Sequence, residues 1–286
     1  MGPVKKMALA GATALVSTAA AAADLPPPYQ PPPVYTQAPD MGGWYLRGDV
    51  GVGAQNFRSF DFTQTAGGPW PASWQVVQKD IKDTFLIGGG IGYAWNNWLR
   101  FDVTGEYRAD VKWKAVGSYI NFPNPGSPTP TAFDVYDADH RAIVALVNAY
   151  VDLGTWWCIT PFIGAGVGGA YHTISALSDT GLNADGLGSS AFGYAPSNRN
   201  TLTFAWAAHA GLAYTVSNNL KLEFSYRYLN MGSPHTAEVL CGGAGCGVGG
   251  GPRAFYTLTD MSSHDIRIGM RWLLQPEPQP VLMRRG

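Results

Sequence analysis

Charge is scarce in this sequence: Asp, Glu, Lys and Arg together supply 14% of the 286 residues, against roughly 25% in soluble domains. The 19 basic and 20 acidic side chains nearly cancel, which leaves no basic footprint for nucleic acid. Three cysteines, Cys158, Cys241 and Cys246, are too few for a disulfide scaffold, although export would permit a bond. No uninterrupted apolar run of the roughly 18 or more residues that a membrane helix needs is present, which excludes a helical membrane protein. Neither a G-x-S-x-G elbow nor an H-E-x-x-H metal motif occurs. The five histidines, His140, His172, His209, His235 and His264, read as ordinary solvent-exposed residues. Neither catalysis nor a metal site is expected.

Glycine, at 36 residues, and aromatics, at 13%, are plentiful. Lys5 and Lys6, an apolar stretch from Met7 into Ala20 and the alanines before Asp24 form a signal-peptide pattern, with cleavage expected after Ala23. Residues 24–42 contain LPPPYQPPPVYTQAP, an extended polyproline-like tether expected on the periplasmic side. Folded structure is expected over residues 43–274, with 275–286 as a tail in which Pro276, Pro278 and Pro280 oppose any further strand.

Within 43–274, eight segments alternate with period two between apolar or aromatic side chains and small or charged ones. The clearest is 99–112, where Leu99, Phe101, Val103, Tyr107, Ala109 and Val111 oppose Arg100, Asp102, Glu106, Arg108, Asp110 and Lys112. A helix would scatter those charges around its circumference. The links alternate too. Three are short enough for hairpin turns, at Asn96–Asn97, at residues 153–158 and at Ser217–Asn219. Four are long, at 55–82, 114–137, 175–201 and 231–261, and are expected to be loops. This pattern predicts an all-β fold, a transmembrane antiparallel up-and-down barrel of about eight strands with both termini on the short-turn, periplasmic side of an outer membrane.

Alternation alone does not say which face is inside. Aromatics where the apolar face meets the strand ends, Trp44, Trp95, Trp98, Tyr214, Tyr226, Tyr228 and Trp272, suit interfacial girdles and place the apolar face against lipid. The inward set is then Arg47, Asp49, Arg100, Asp102, Glu106, Arg108, Asp110, Lys221, Glu223, Arg227, Asp265, Arg267 and Arg271. Mixed signs allow an ion-pair network that fills a lumen which eight strands leave narrow. A polar conducting path is the alternative, since Gly and Ala on the second, fifth and sixth segments leave room for water. Cys241 and Cys246 enclose GGAG, a link flexible enough to close a disulfide ring, with Cys158 left free.

The stretches GGWYLRGDVGVG (42–53), Phe85 to Tyr93 in an FxxGGGIGY pattern, PFIGAGVGGAY (161–171), NLKLEFSYRYLNMG (219–232) and HDIRIGMRWLL (264–274) resemble the alphaproteobacterial immunogenic outer-membrane proteins, small OmpA-type barrels. The resemblance covers about residues 42–274 and implies an envelope-stabilising surface protein without catalysis. A small porin-like channel is the alternative and a haemin-binding receptor the third reading, with His172, His235, Tyr119, Tyr136, Tyr194 and Tyr256 as candidate axial ligands. Expected partners are outer-membrane lipid and lipopolysaccharide, the barrel-assembly machinery, and a host or envelope partner met by the long loops. One departure stands out: such barrels usually end on an aromatic residue, whereas 14 residues follow Trp272 here. Either Trp272 serves as an internal assembly signal or assembly tolerates the tail.

Overall fold

Sequences with this alternation can satisfy every backbone N–H and C=O inside hydrocarbon only by closing on themselves. The computed structural model shows such a closure. It describes residues 42–66, 73–120, 132–183, 188–242 and 253–274, with the side chains of 183 and 188–191 left aside; the expected signal peptide, tether and tail lie outside the described residues.

The strands are β1 (Trp44–Asn56), β2 (Ser59–Ala66), β3 (Gln75–Ile81), β4 (Thr84–Ala94), β5 (Leu99–Tyr119), β6 (Ala132–Asp152), β7 (Ile159–Asn183), β8 (Gly188–Tyr194), β9 (Arg199–Thr215), β10 (Leu220–Asn230), β11 (Leu240–Gly242), β12 (Arg253–Thr259) and β13 (Ser262–Leu273). Eight of them form an antiparallel ring in the order β1, β4, β5, β6, β7, β9, β10, β13. The seam joins first to last, from Tyr45 opposite Leu273 to Asn56 opposite Ser262.

The three short links are tight turns that share one end of the ring. Asn96 starts one of them: its side-chain Oδ1 accepts from the backbone N–H groups of Trp98 at 2.9 Å and Leu99 at 2.7 Å, an Asx-type closure. Ser217 does the same more loosely before β10, accepting from Leu220 N at 3.2 Å. Between β6 and β7 the chain turns through Gly154, Trp157 and Cys158, all at positive φ.

The long links depart from expectation. They are not loops throughout. They hold β2, β3, β8, β11 and β12 and the far ends of β5, β6 and β7. Strand β3 lies along β5, β8 along β7 and β11 along β8, while β2 and β12 form a separate two-stranded sheet. Phe60 and Phe62 on β2 face Leu258 and Tyr256 on β12 in that sheet.

A single irregularity divides the molecule. Arg108 pairs with Ala142 but Val111 with His140, so Ala109 and Asp110 together oppose Arg141 alone. Such a bulge inserts one extra residue, and because side chains alternate with period two it exchanges the faces beyond it. Asp110 is therefore exposed and does not join the lumen, a correction to the alternation read along 99–112. Val111, Trp113 and Ala115 turn inward and are buried, while the Lys112 and Lys114 side chains point outward. A second slip, where Asp137 pairs with Ser178 but Asp139 with Ser175, does the same for β7. Beyond the bulges β5, β6 and β7 continue, flanked by β3 and β8, into an extension with an apolar interior. Phe57, Phe60, Trp113, Tyr136, Tyr256, Leu258 and Met261 belong to its core.

Candidate functional site

The ring's interior on the turn side of the bulges is built from arginines and carboxylates. Alternation from Leu99 to Arg108 aims Arg100, Asp102, Glu106 and Arg108 inward, and β1, β10 and β13 bring the rest. Six arginines (47, 100, 108, 227, 267 and 271) meet six carboxylates (Asp49, Asp102, Glu106, Asp152, Glu223 and Asp265). Near the bulge, the Arg227 Nη2 group contacts Asp265 at 2.6 Å and Glu106 at 2.7 Å, and Arg108 reaches the same two acids at 3.0 Å each. Arg267 joins Glu106 at 3.3 Å to Asp49 at 3.2 Å. Arg47 then carries the chain of pairs onward to Asp49 and Asp102, both at 2.8 Å, and to Glu223 at 3.4 Å. At the turn end, Arg100 binds Asp152 at 3.1 Å, and Arg271 stands 3.3 Å from Glu223.

With equal numbers of each sign, the network is neutral as a whole. Desolvating so many ions is costly, and the attraction among them offsets that cost only while every partner is present. Two glycines allow the close fit. A Cβ at Gly53 would collide with Arg108 and Asp265, and one at Gly92 with the Tyr45 ring. Side chains occupy the space beside several glycines of β4 and β7: Tyr45, Glu106, Asn148 and Tyr150 stand against Gly92, Gly88, Gly166 and Gly164.

Sequence reasoning missed several members. Asp152, Tyr150 and Asn148 lie at alternate positions of β6, and Asn148 donates to Asp102 at 2.7 Å. Continuing the period-two count to the end of that segment would have found all three. Lys221 stands at the turn-side rim, half-buried, among the residues lining a small opening. Three of the histidines expected at the surface are inside. His209 contacts Asn148 Oδ1 at 3.2 Å. His140 and His172 meet at 2.9 Å between the ion network and the apolar core of the extension. Both ring nitrogens of His172 are engaged, the second with Thr203 and with the carbonyl of Met231 at 3.0 Å each. His172, the first of the haemin candidates, thus has both ring nitrogens in hydrogen bonds and lies buried. Tyr136 and Tyr256 are buried against one another with hydroxyls 3.2 Å apart, His235 contacts Arg199 at 2.8 Å, Tyr119 is half-buried, and Tyr194 is exposed. Among the described residues no group of three or more His, Cys, Asp or Glu is placed to hold a metal ion. Cys158 is free and Cys241 is disulfide-bonded; its expected partner Cys246 lies outside the described residues.

The family model for the outer membrane protein β-barrel domain matches residues 8–269. The chain belongs to that family. A Brucella abortus protein of uncharacterized function is 31% identical over 233 residues, covering 75% of this chain and 76% of the relative. A Rickettsia prowazekii protein named as a candidate adhesin is 26% identical, covering 80% and 86%. Among solved structures, the outer membrane protein OprG of Pseudomonas aeruginosa is similar at 14% identity and a TM-score of 0.48, with 83% of this chain and 99% of that one covered.

An outer-membrane barrel must meet lipid with its outer face, and this one presents Val50, Ile87, Val103, Val147, Val167, Phe224 and Ile268 there, all substantially exposed. The seven expected girdle residues fall into two belts. Trp44, Trp95, Trp98, Tyr214 and Trp272 ring the turn end, where Trp44 packs on Tyr93 with centroids 5.3 Å apart. Tyr226 and Tyr228 lie near the bulges instead, with Trp206 and His264; Tyr226 Oη stands 2.6 Å from His264 Nδ1. Amphipathic rings at both depths are what two membrane interfaces select.

The extension carries a different kind of chemistry. Asp134 and Asp179, near one another at the far end of β6 and β7, have their carboxyls pushed up by burial, and for Asp179 also by repulsion from Asp134. Burial and these two carboxylates push the Tyr119 phenol up to about 12.

Proposed function

We propose that this outer-membrane barrel is a non-catalytic anchor whose extension, on the cell surface, contacts a host or envelope partner. The observation that carries this reading is the division at the bulges. The lipid-crossing part is filled by a neutral ion network, so it offers neither a path nor a reactive group, whereas the extension is an ordered platform with a polar outer face. The name of the Rickettsia prowazekii relative points the same way, as does the resemblance to immunogenic surface proteins. On this reading residues 1–23 are a removed signal, 24–42 a periplasmic tether, and both termini face the periplasm. Lipopolysaccharide surrounds the upper belt, and the barrel-assembly machinery inserts the chain.

Two measurements test it. Bacteria displaying the whole chain should adhere to cultured host cells more than those with an empty vector, and trypsin treatment of intact cells should remove the gain. Equal adherence would sink the surface-interaction role. In planar bilayers the refolded protein should stay silent; stable stepwise openings would establish the channel in its place.

A further inference from the structure

The outer face of β6 changes character at one step. Its outward residues alternate without a break, and there Ile143, Ala145, Val147, Ala149 and Val151 give way to Arg141, Asp139 and Asp137. Two of these charges are matched, Asp139 by Lys112 at 3.4 Å and Asp137 by Lys114 at 3.3 Å. Arg141 is not. It is exposed, and among the described residues no hydrogen bond or ion pair engages it, not even one with the exposed Asp110 across the bulge. A guanidinium at the edge of hydrocarbon turns its charged head toward the polar side, and its planar fork matches a phosphate with two parallel N–H groups.

The surroundings continue the pattern. One rung below Arg141, Tyr107 of β5 and Tyr171 of β7 stand on either side of Ile143, at 42% and 43% exposure. Such amphipathic rings suit headgroup depth. A further rung down, Gly105, Ala145 and Gly169 lie abreast on the same three strands. A Cβ at Gly105 would meet nothing within 4 Å, so the wall is recessed there. Cation, flanking rings and apolar recess follow the order of phosphate, sugar and acyl chain in a glycolipid. Above Arg141 the wall stays charged through the Lys112–Asp139 and Lys114–Asp137 pairs, which suits a tall sugar headgroup rather than the short one of a glycerophospholipid.

We propose that this face of β5, β6 and β7 binds one lipopolysaccharide molecule, with Arg141 taking a headgroup phosphate, Tyr107 and Tyr171 flanking a sugar and the recess at Gly105 seating an acyl chain. Such binding rests on the outward orientation proposed for the extension, which puts the bulges in the leaflet that carries this lipid.

The test is native mass spectrometry of the refolded full mature protein, titrated in zwitterionic detergent with deep-rough lipopolysaccharide and separately with phosphatidylglycerol. One lipopolysaccharide should bind, at lower concentration than phosphatidylglycerol. Arg141→Gln should lose about tenfold in affinity, the worth of one charge-assisted contact. Gly105→Leu fills the recess without altering charge and should weaken binding too; it carries the test if Arg141→Gln fails the heat-modifiable gel shift of the folded barrel. Equal binding of the two lipids would reduce the face to a site for any lipid phosphate and overturn the assignment, as would binding unchanged in every variant that folds. Detergent has no inside or outside, so this outcome is read separately from the trypsin treatment of intact cells, which tests the orientation.

Discussion

Below the bulges of β5 and β7 the barrel is polar inside and apolar outside; above them it is the reverse. Arg108 and Trp113 mark the two regimes on one strand, five residues apart and both fully buried. Strands β5, β6 and β7 run through the change, with β3 beside β5 and β8 beside β7 above it where β4 and β9 stand below. The surrounding solvent also differs. Lipid accepts Val103 and Ile268 on the outside and leaves the charges to be paired within, whereas water accepts Lys112 and Lys114 and drives Trp113 and Tyr136 inward.

The comparison can be broken most severely from within the lower region. Arg227→Met strips a partner from both Glu106 and Asp265, and should cost about 3–5 kcal/mol; the urea midpoint of the refolded barrel should fall and its gel shift weaken. If the variant were as stable as the parent, the network would not be holding the lumen. In the upper region Trp113→Ala should cost a similar ~3–5 kcal/mol, but the loss should be confined to the extension. Limited proteolysis would then cut residues above the bulges while the gel shift of the ring persists. An unchanged digestion pattern would mean that the extension does not depend on its core.

Outward-facing sites separate the two solvents more directly. Ile268→Arg, at 60% exposure on the lipid face, should destabilise by about 2–4 kcal/mol. Removal of the Lys114–Asp137 pair, 3.3 Å apart on the upper wall, should change stability by about 1 kcal/mol or less. Similar costs at both sites would show that the upper wall also lies in lipid.

The extension should also respond to pH. Asp134 and Asp179 titrate higher in the folded extension than in the unfolded chain, so the folded form binds more protons between those ranges. Stability there should be greatest below the ordinary aspartate range and decline as pH rises through the raised values. Asp179→Asn should flatten the dependence, read as the rate of proteolysis above the bulges against pH. A steeper decline in the variant would reverse the sign.

Much of the lower region was legible in the sequence. Arginines and acids at alternate positions of β1, β5, β10 and β13 declared an inward face, and Asn96–Asn97 and Ser217–Asn219 declared turns. The upper region was obscured by physical ambiguity at one point. Ala109 is at home on either face, so nothing in the alternation registers that Asp110 begins a new phase. Beyond it, Phe60 and Phe62 in β2 and Tyr256 and Leu258 in β12 do alternate, but over 8 and 7 residues inside links rich in glycine and proline. The buried histidines were unreadable for a related reason. Their burial depends on partners such as Thr203 and the Met231 carbonyl, which no local pattern reveals.

The bulge at Ala109–Asp110 gives the chain a waterline that composition does not mark. Parity, rather than hydrophobicity, records where lipid stops: the same period-two code is read in one frame below that step and in the other above it. Moving the step along β5 by two residues would raise or lower the membrane boundary by one pair of rungs with the ring's strand count intact. Removing it would submerge Lys112 and Lys114 in the interior.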